Sequence, residues 1–182
     1  MRVVAGSARS LILKTIEGMD TRPTTDRIKE TLFNMFTGYV TDAKFLDLFA
    51  GSGGIGIEAL SRGARECTFI ENNPKAVNCI KDNLKHTKLD DKGRVLKYDA
   101  ISYVQGLDKI DYDVIFMDPP YSKDLEKNVL TVLAGKDFTE DTLIVVEATL
   151  DEDFSYVEQL GFDIVKDKRY KSNKHIFLQK RD

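Results

Sequence analysis

Asp118-Pro119-Pro120-Tyr121 sets a carboxylate before two prolines and an aromatic ring after them. Consecutive prolines fix φ and cannot continue a strand, so this stretch reads as a rigid loop ending the apolar run Val114-Ile115-Phe116-Met117. A second stretch, Asp47-Leu48-Phe49-Ala50-Gly51-Ser52-Gly53-Gly54-Ile55-Gly56, reads as a strand end that turns sharply at glycines into a helix. Gly51, Gly53 and Gly56 fit the G-x-G-x-x-G pattern, and Glu71 lies twenty positions after Gly51, which first suggests a dinucleotide site. Asp47 argues against it, because a carboxylate at the loop entrance repels a pyrophosphate that wants bare N–H groups. S-adenosylmethionine brings an α-ammonium, a sulfonium and no phosphate, so it suits an acidic strand end. Phe49, Ala50, Gly51, Ser52 and Gly53 are then the loop against its methionine part, with glycines admitting close backbone approach.

Positioning these residues requires a regular frame. From residue 44 the chain alternates strand-like and helix-like runs, which implies a doubly wound, mostly parallel sheet with right-handed crossovers and ligands at the carboxyl ends of the strands. Asp47, Glu71, Asp99 and Asp118 then fall at four consecutive strand ends. One such acid could be a helix cap; four along one edge suggest a cationic, hydroxyl-rich ligand. Glu71 suits ribose hydroxyls, Asp99 with the Ala100 N–H suits an adenine edge, and Asn72 flanks the base. Asn73-Pro74 is a helix start, and the segment Phe154 to Leu160 reads as a further helix. Phe162 to Lys166 and Lys174 to Gln179 leave no room for a helix between them, so they should pair antiparallel at one sheet edge. Ahead of the alternating region, Arg2-Val3-Val4-Ala5 and Leu11-Ile12-Leu13-Lys14 read as a hairpin. A helix follows Pro23-Thr24-Thr25-Asp26, with Gly38 as its stop. Residues 1–40 are thus expected to form an extension and residues 41–182 the main domain.

Composition narrows the class. With 182 residues, 42% hydrophobic and 31% charged, the chain suits one domain with a substantial core. No apolar run nears a membrane span and no signal peptide opens the sequence, so a cytoplasmic location is expected. Cys67 and Cys79 offer no disulfide framework. With only His86 and His175 to assist them they make no zinc site, so no metal is expected and both cysteines read as buried apolar residues. Net charge is −3, yet both ends are basic and the late middle is acidic, a distribution that could give one phosphate-facing side. Nothing in the sequence suggests more than a monomer.

Asp118-Pro119-Pro120-Tyr121 together with the glycine loop resembles class I S-adenosylmethionine-dependent methyltransferases that act on exocyclic amino groups of bases. The resemblance implies that the Asp118 carboxylate and Pro119 carbonyl accept the N–H bonds of the amine, that Pro120 stiffens the loop, and that Tyr121 stacks on the base. It implies neither a metal nor a covalent enzyme intermediate. Arg22-Pro23-Thr24-Thr25-Asp26-Arg27-Ile28-Lys29-Glu30-Thr31-Leu32-Phe33-Asn34, then Asp47 to Gly53, then Glu58-Ala59-Leu60-Ser61-Arg62-Gly63-Ala64, is similar to the bacterial RsmD family. Members of that family methylate N2 of a guanine in 16S ribosomal RNA. By this resemblance Arg22, Thr24 and Arg27 border the active site or the RNA. Arg9 belongs to a basic N-terminal stretch that here lacks two of the family's usual cations. Before the last strand, Tyr170-Lys171-Ser172-Asn173 departs from the family's Tyr-Gly-x-Thr, and Lys171 and Lys174 are expected to supply the missing phosphate contacts.

The expected activity is methylation of guanine N2 in small-subunit rRNA, with an assembled or assembling small ribosomal subunit as the favoured substrate. A DNA adenine-N6 methyltransferase is the alternative enzyme, disfavoured because the chain has no room for a DNA-reading domain. An RNA-binding assembly factor is the non-enzymatic alternative. An NAD-dependent oxidoreductase comes third.

Overall fold

The computed structural model describes residues 1–17, 25–121, 123–139 and 141–181. At the N-terminus the expected hairpin is narrow. Arg2 and Ile12 form one antiparallel bridge, and Val3 N–H donates to Leu11 O and Leu13 N–H to Met1 O. Helix α1 (Asp26–Met35) starts at Thr25, whose side chain accepts the Ile28 N–H. It does not end at Gly38. The break falls at Phe36, with φ −125° and ψ 30°, and Gly38 lies inside a short second helix, α2 (Thr37–Val40). The chain then runs β1 (Lys44–Leu48), α3 (Gly54–Ser61), β2 (Glu66–Glu71), α4 (Pro74–Thr87), β3 (Gly93–Lys97), α5 (Ala100–Gln105), β4 (Lys109–Ile110) and β5 (Val114–Met117). It continues through α6 (Leu125–Ala134), β6 (Asp137–Phe138), β7 (Leu143–Thr149), a 3-10 turn (Ser155–Val157), β8 (Phe162–Arg169) and β9 (Asn173–Lys180).

Seven strands form one sheet in the order β3-β2-β1-β5-β7-β9-β8. The first five in that order are mutually parallel. Strand β9 runs antiparallel to both its neighbours, β7 and β8, which is the edge pair that the sequence required. Strands β4 and β6 make a separate parallel pair of two residues each, too short for any periodic signal. The order reverses between β1 and β5, so the carboxyl ends there open a crevice suited to a ligand.

Alternation along each strand sorts side chains into two layers. On one face Phe45, Phe69, Phe116, Val145 and Phe177 pack with α1, α3, α4 and the N-terminal segment. On the other, Leu46, Leu48, Ile70, Ile115, Met117, Ile144 and Val146 pack with α5, α6 and the 3-10 turn. Each fully buried side chain of this size contributes about 1.5–3 kcal/mol relative to exposure. Val3, Ala8 and Leu13 lie in the first layer, so the N-terminal segment shares the core of the sheet.

The helix expected over Phe154 to Leu160 is reduced to the 3-10 turn. The Asp153 carboxylate accepts the Ser155 N–H at 2.9 Å, and Gly161, at φ +85°, reverses the chain. One turn is enough to bury Phe154 and Val157. Cys67 and Cys79 are both buried and unpaired. Among the described residues no helix is long and apolar enough to cross a membrane.

Candidate active site

The period of two that places Phe45, Phe69 and Phe116 in the first layer carries Asp47, Glu71 and Asp118 onto the same face, two residues further along each chain. They meet at the carboxyl ends of β1, β2 and β5 in a cavity of about 560 Å³. Asp47, Phe49, Ala50, Gly51, Ser52, Glu71, Asn72, Asp99, Ala100, Asp118 and Pro120 all line it. Gly53, Pro119 and Tyr121 stand behind or beside that lining.

The loop from β1 to α3 is shaped by its backbone. Gly51 and Gly53 hold φ +58° and +84°, and Phe49 holds φ +60° without being glycine. A left-handed non-glycine residue costs roughly 1–2 kcal/mol, so the turn is held by its surroundings. Gly56 serves packing instead: a Cβ there would stand 2.3 Å from Phe69 Cε1 and 2.7 Å from Cys67 Sγ, so only glycine lets α3 lie against β2. Glu71 braces the loop. Its carboxylate accepts the Gly51 N–H at 2.8 Å and the Asn73 N–H at 2.9 Å.

Asp47 is 2% exposed and accepts the Gly56 N–H at 3.0 Å. Burial, and to a lesser extent the charge of Glu71, push its pKa up to about 7 against the opposing pull of that N–H. Burial and the carboxylates of Glu147 and Asp47 push the Asp118 carboxyl well above the usual range. Among the described residues no hydrogen bond to the Asp118 side chain is found. Pro119 is buried, and Tyr121 is 44% exposed beside the cavity. Burial and the nearby charge of Asp118 and Glu147 push the Tyr121 phenol up to about 12, so the ring stays neutral.

Asp99 behaves partly as a cap: its Oδ1 accepts the Ser102 N–H at 2.8 Å at the start of α5. Arg9, Arg27 and Lys171 are exposed. Lys174 lies elsewhere than expected. It is 3% exposed and donates to the carbonyls of Leu150 and Glu152, with its ammonium 5.4 Å from the centre of the Phe154 ring. The antiparallel register sets it opposite Ala148, on the face away from Glu147, so its charge is committed to the 150–152 backbone. Arg22 and Thr24 lie outside the described residues.

Several residues at the site were not expected from the sequence. Thr15, Ile16, Lys29, Tyr98 and Lys123 also line the cavity. Glu147 is 5% exposed on β7, one residue beyond the Met117–Val146 pair and so beside Asp118. A charge inside the apolar run Leu143-Ile144-Val145-Val146-Glu147-Ala148 was the signal that could have found it.

Known proteins are similar to this chain in sequence and fold. The family described as conserved hypothetical protein 95 matches residues 1–179. YlbH of Bacillus subtilis, a protein provisionally named an rRNA methyltransferase, is 39% identical over 171 residues, 93% of this chain and 92% of its own. The ribosomal RNA small subunit methyltransferase D of Haemophilus influenzae is 35% identical over 84% of this chain and 80% of its own. Among solved structures, Escherichia coli YhhF, provisionally named a methyltransferase, superposes with a TM-score of 0.87 at 30% identity, covering 100% of this chain and 98% of its own. The fold is that of the class I S-adenosylmethionine-dependent methyltransferases, and the match extends from the N-terminal hairpin through β9. The chain belongs to the conserved hypothetical protein 95 family, the RsmD family of methyltransferases.

Proposed function

We propose that the protein methylates the exocyclic N2 amine of a guanine in 16S rRNA, using S-adenosylmethionine. The observation that carries the reading is the Asp118 carboxylate, which borders the cavity without a hydrogen-bond donor among the described residues and sits on a loop stiffened by Pro119 and Pro120. The relatives named for small-subunit rRNA methylation support the substrate class, and the Asp-Pro-Pro-Tyr loop supports an amine acceptor. Guanine N2 rests on the RsmD resemblance.

The residues present fit the cofactor. Asp47 and Asp118 supply negative charge for a sulfonium, and the Glu71 oxygens each keep a lone pair for a ribose hydroxyl beyond the backbone N–H they already accept. Because Asp47 takes the Gly56 N–H, the start of α3 already faces a carboxylate, which disfavours a pyrophosphate at the same place. Bound S-adenosylmethionine supplies an electrophilic methyl carbon: a bond from nitrogen to carbon forms as the carbon–sulfur bond breaks. Asp118 and the Pro119 carbonyl hold the amine hydrogens so that the nitrogen lone pair, otherwise delocalised into the base, points at that carbon. Asp118 then takes the released proton, directly or through water. Tyr121 stacks on the base from its exposed position. Arg9, Arg27 and Lys171 are exposed and available to RNA phosphates, and the RsmD resemblance adds Arg22 and Thr24 to the residues that contact RNA.

The test is transfer of labelled methyl groups from S-adenosylmethionine to small ribosomal subunits from cells lacking the gene, with naked rRNA and plasmid DNA in parallel, followed by nucleoside analysis. N2-methylguanosine in the subunits is the expected product. Label only in DNA adenine would promote the DNA reading, and no transfer at all would leave an RNA-binding assembly factor.

A further inference from the structure

Behind Asp118 lies a buried polar chain that the reaction as described does not use. Glu147 on β7 sits directly opposite His175 on β9. Its Oε2 lies 3.1 Å from His175 Nε2, and its Oε1 accepts the Asn173 amide N–H at 2.8 Å. His175 is fully buried, and its Nδ1 lies 3.0 Å from the Tyr170 hydroxyl. The rings of Tyr170 and Phe116 meet the imidazole edge-on, at 5.2 Å and 6.2 Å. Burial and the Glu147 charge push the Tyr170 phenol up to about 12, so its O–H is present to donate. One tautomer then serves both ends of the ring: Tyr170 O–H donates to Nδ1 and Nε2–H donates to Glu147 Oε2, while Asn173 Oδ1 is left without a partner among the described residues. Glu147 is thereby fixed by two donors from β9, and its charge stands beside Asp118.

We infer that Glu147 is a positioning residue for Asp118, locked in place by Asn173 and the His175–Tyr170 pair, and that it sets the basicity with which Asp118 engages the substrate amine. The inference rests on the reading of Asp118 as the acceptor of the amine hydrogens. The physical reason is Coulombic. Asp118 is faced by Glu147 from β7, by Asp47 from β1 and by Tyr121 from its own loop, and Lys29 and Lys123 line the same cavity. Glu147 is faced by His175 from β9, by Tyr170 from the turn before it, and by Asp118. A fixed negative neighbour makes the Asp118 carboxylate a better acceptor for hydrogens on a weakly nucleophilic nitrogen than an ordinary surface acid would be. Delivering that charge from a strand, through a network with donors on both oxygens, keeps Glu147 from turning to bind the amine itself.

The test is the pH dependence of kcat and KM for Glu147→Gln, with S-adenosylmethionine affinity measured alongside. Asp118 must be ionised to act, so activity rises with pH through its titration. Removing the neighbouring charge lowers that pKa and moves the acid limb of kcat to lower pH by about one unit. The plateau above it falls several-fold as basicity is lost, while KM and cofactor affinity stay within about two-fold. An acid limb unmoved in folded Glu147→Gln overturns the inference. Should that variant fail to fold, Asn173→Ser removes one donor to Glu147 and keeps the β7–β9 backbone pairing. It is expected to shift the limb the same way by less, and an unmoved limb overturns the inference equally. Asp118→Ala separates the two readings: if it stays active, the role of Asp118 fails, whereas an inactive Asp118→Ala with an unmoved limb in Glu147→Gln defeats the positioning role alone.

Discussion

Glu58 and Asp47 are carboxylates with almost no exposure on the same side of the sheet, and their surroundings differ completely. Glu58, on α3, receives the Val4 and Ala5 N–H groups at 2.9 Å and 3.0 Å, the Arg62 guanidinium at 2.8 Å and the Lys29 ammonium at 3.4 Å. Lys29 also donates to the Arg2 carbonyl. Both carboxylate oxygens of Glu58 are answered from within the chain, and the cluster fastens the N-terminal segment and α1 onto α3. Asp47 has one backbone N–H, and the charges that bear on it are those of other acids, Glu71 and Asp118. The first cluster is neutralised by folding, whereas the second keeps crowded acids that take up protons or an incoming cation. Structural and functional burial of an acid are thus told apart by what remains unbalanced.

The largest effect expected from breaking this contrast is on stability. Lys29→Met removes one partner of the closed cluster and leaves Glu58 buried without its ammonium, which should cost about 3–5 kcal/mol in urea unfolding. A loss below 1 kcal/mol would mean the cluster is not the latch. Asp118→Ala should do the reverse, lowering turnover about 100- to 1,000-fold or more at unchanged or raised stability, since an unanswered charge leaves the fold. Near-wild-type turnover would remove Asp118 from the chemistry. Glu71→Ala should weaken S-adenosylmethionine binding by roughly 1.5–3 kcal/mol, read by calorimetry, because both a ribose partner and the brace on Gly51 are lost.

A smaller effect comes from Asp47, whose pKa of about 7 means it is half protonated near neutrality in the unliganded protein. A sulfonium favours the ionised form, so affinity for S-adenosylmethionine should rise several-fold from pH 5.5 to 7.5, while the uncharged sulfur of S-adenosylhomocysteine gives a flatter curve. Parallel curves for the two ligands would show that the acid surplus does not read the sulfonium. The smallest change is at the surface. Charge reversal at Arg9 or Lys171 should weaken RNA binding and reduce its salt slope by about one per contact, whereas Lys174→Met should alter stability and leave the slope alone.

Legibility followed the same division. Asp47, Glu71, Asp99 and Asp118 could be read because each follows a short apolar run, so local periodicity places them at strand ends. The glycine loop and the paired prolines are local as well. Glu147 escaped because its meaning depends on the β5–β7 neighbourhood, which no local window contains. Lys174 was misplaced for a related reason: a basic residue in a basic stretch reads as surface, and only the antiparallel register turns it inward. Gly38 failed as a helix stop because the packing of Phe36 and Val40 into the first layer decides where the turn comes. The helix expected at 154–160 gave way to a tight turn held by the Asp153–Ser155 hydrogen bonds and closed by the positive φ of Gly161.

Strand β9 lies between β7 and β8, so two of the three partners of the Glu147 network come from a strand that must insert into a gap. Pairing β7 with β9 joins residues 24 to 34 positions apart, a closure as non-local as the 22 to 29 positions that separate paired residues in the β-α-β units before it. Until it happens, β7 offers an apolar edge of unpaired backbone groups to any other strand nearby. Assembly of the charged network and protection of the chain from aggregation are therefore one kinetic event, and variants that slow β9 insertion should be recognised first by poor recovery after refolding.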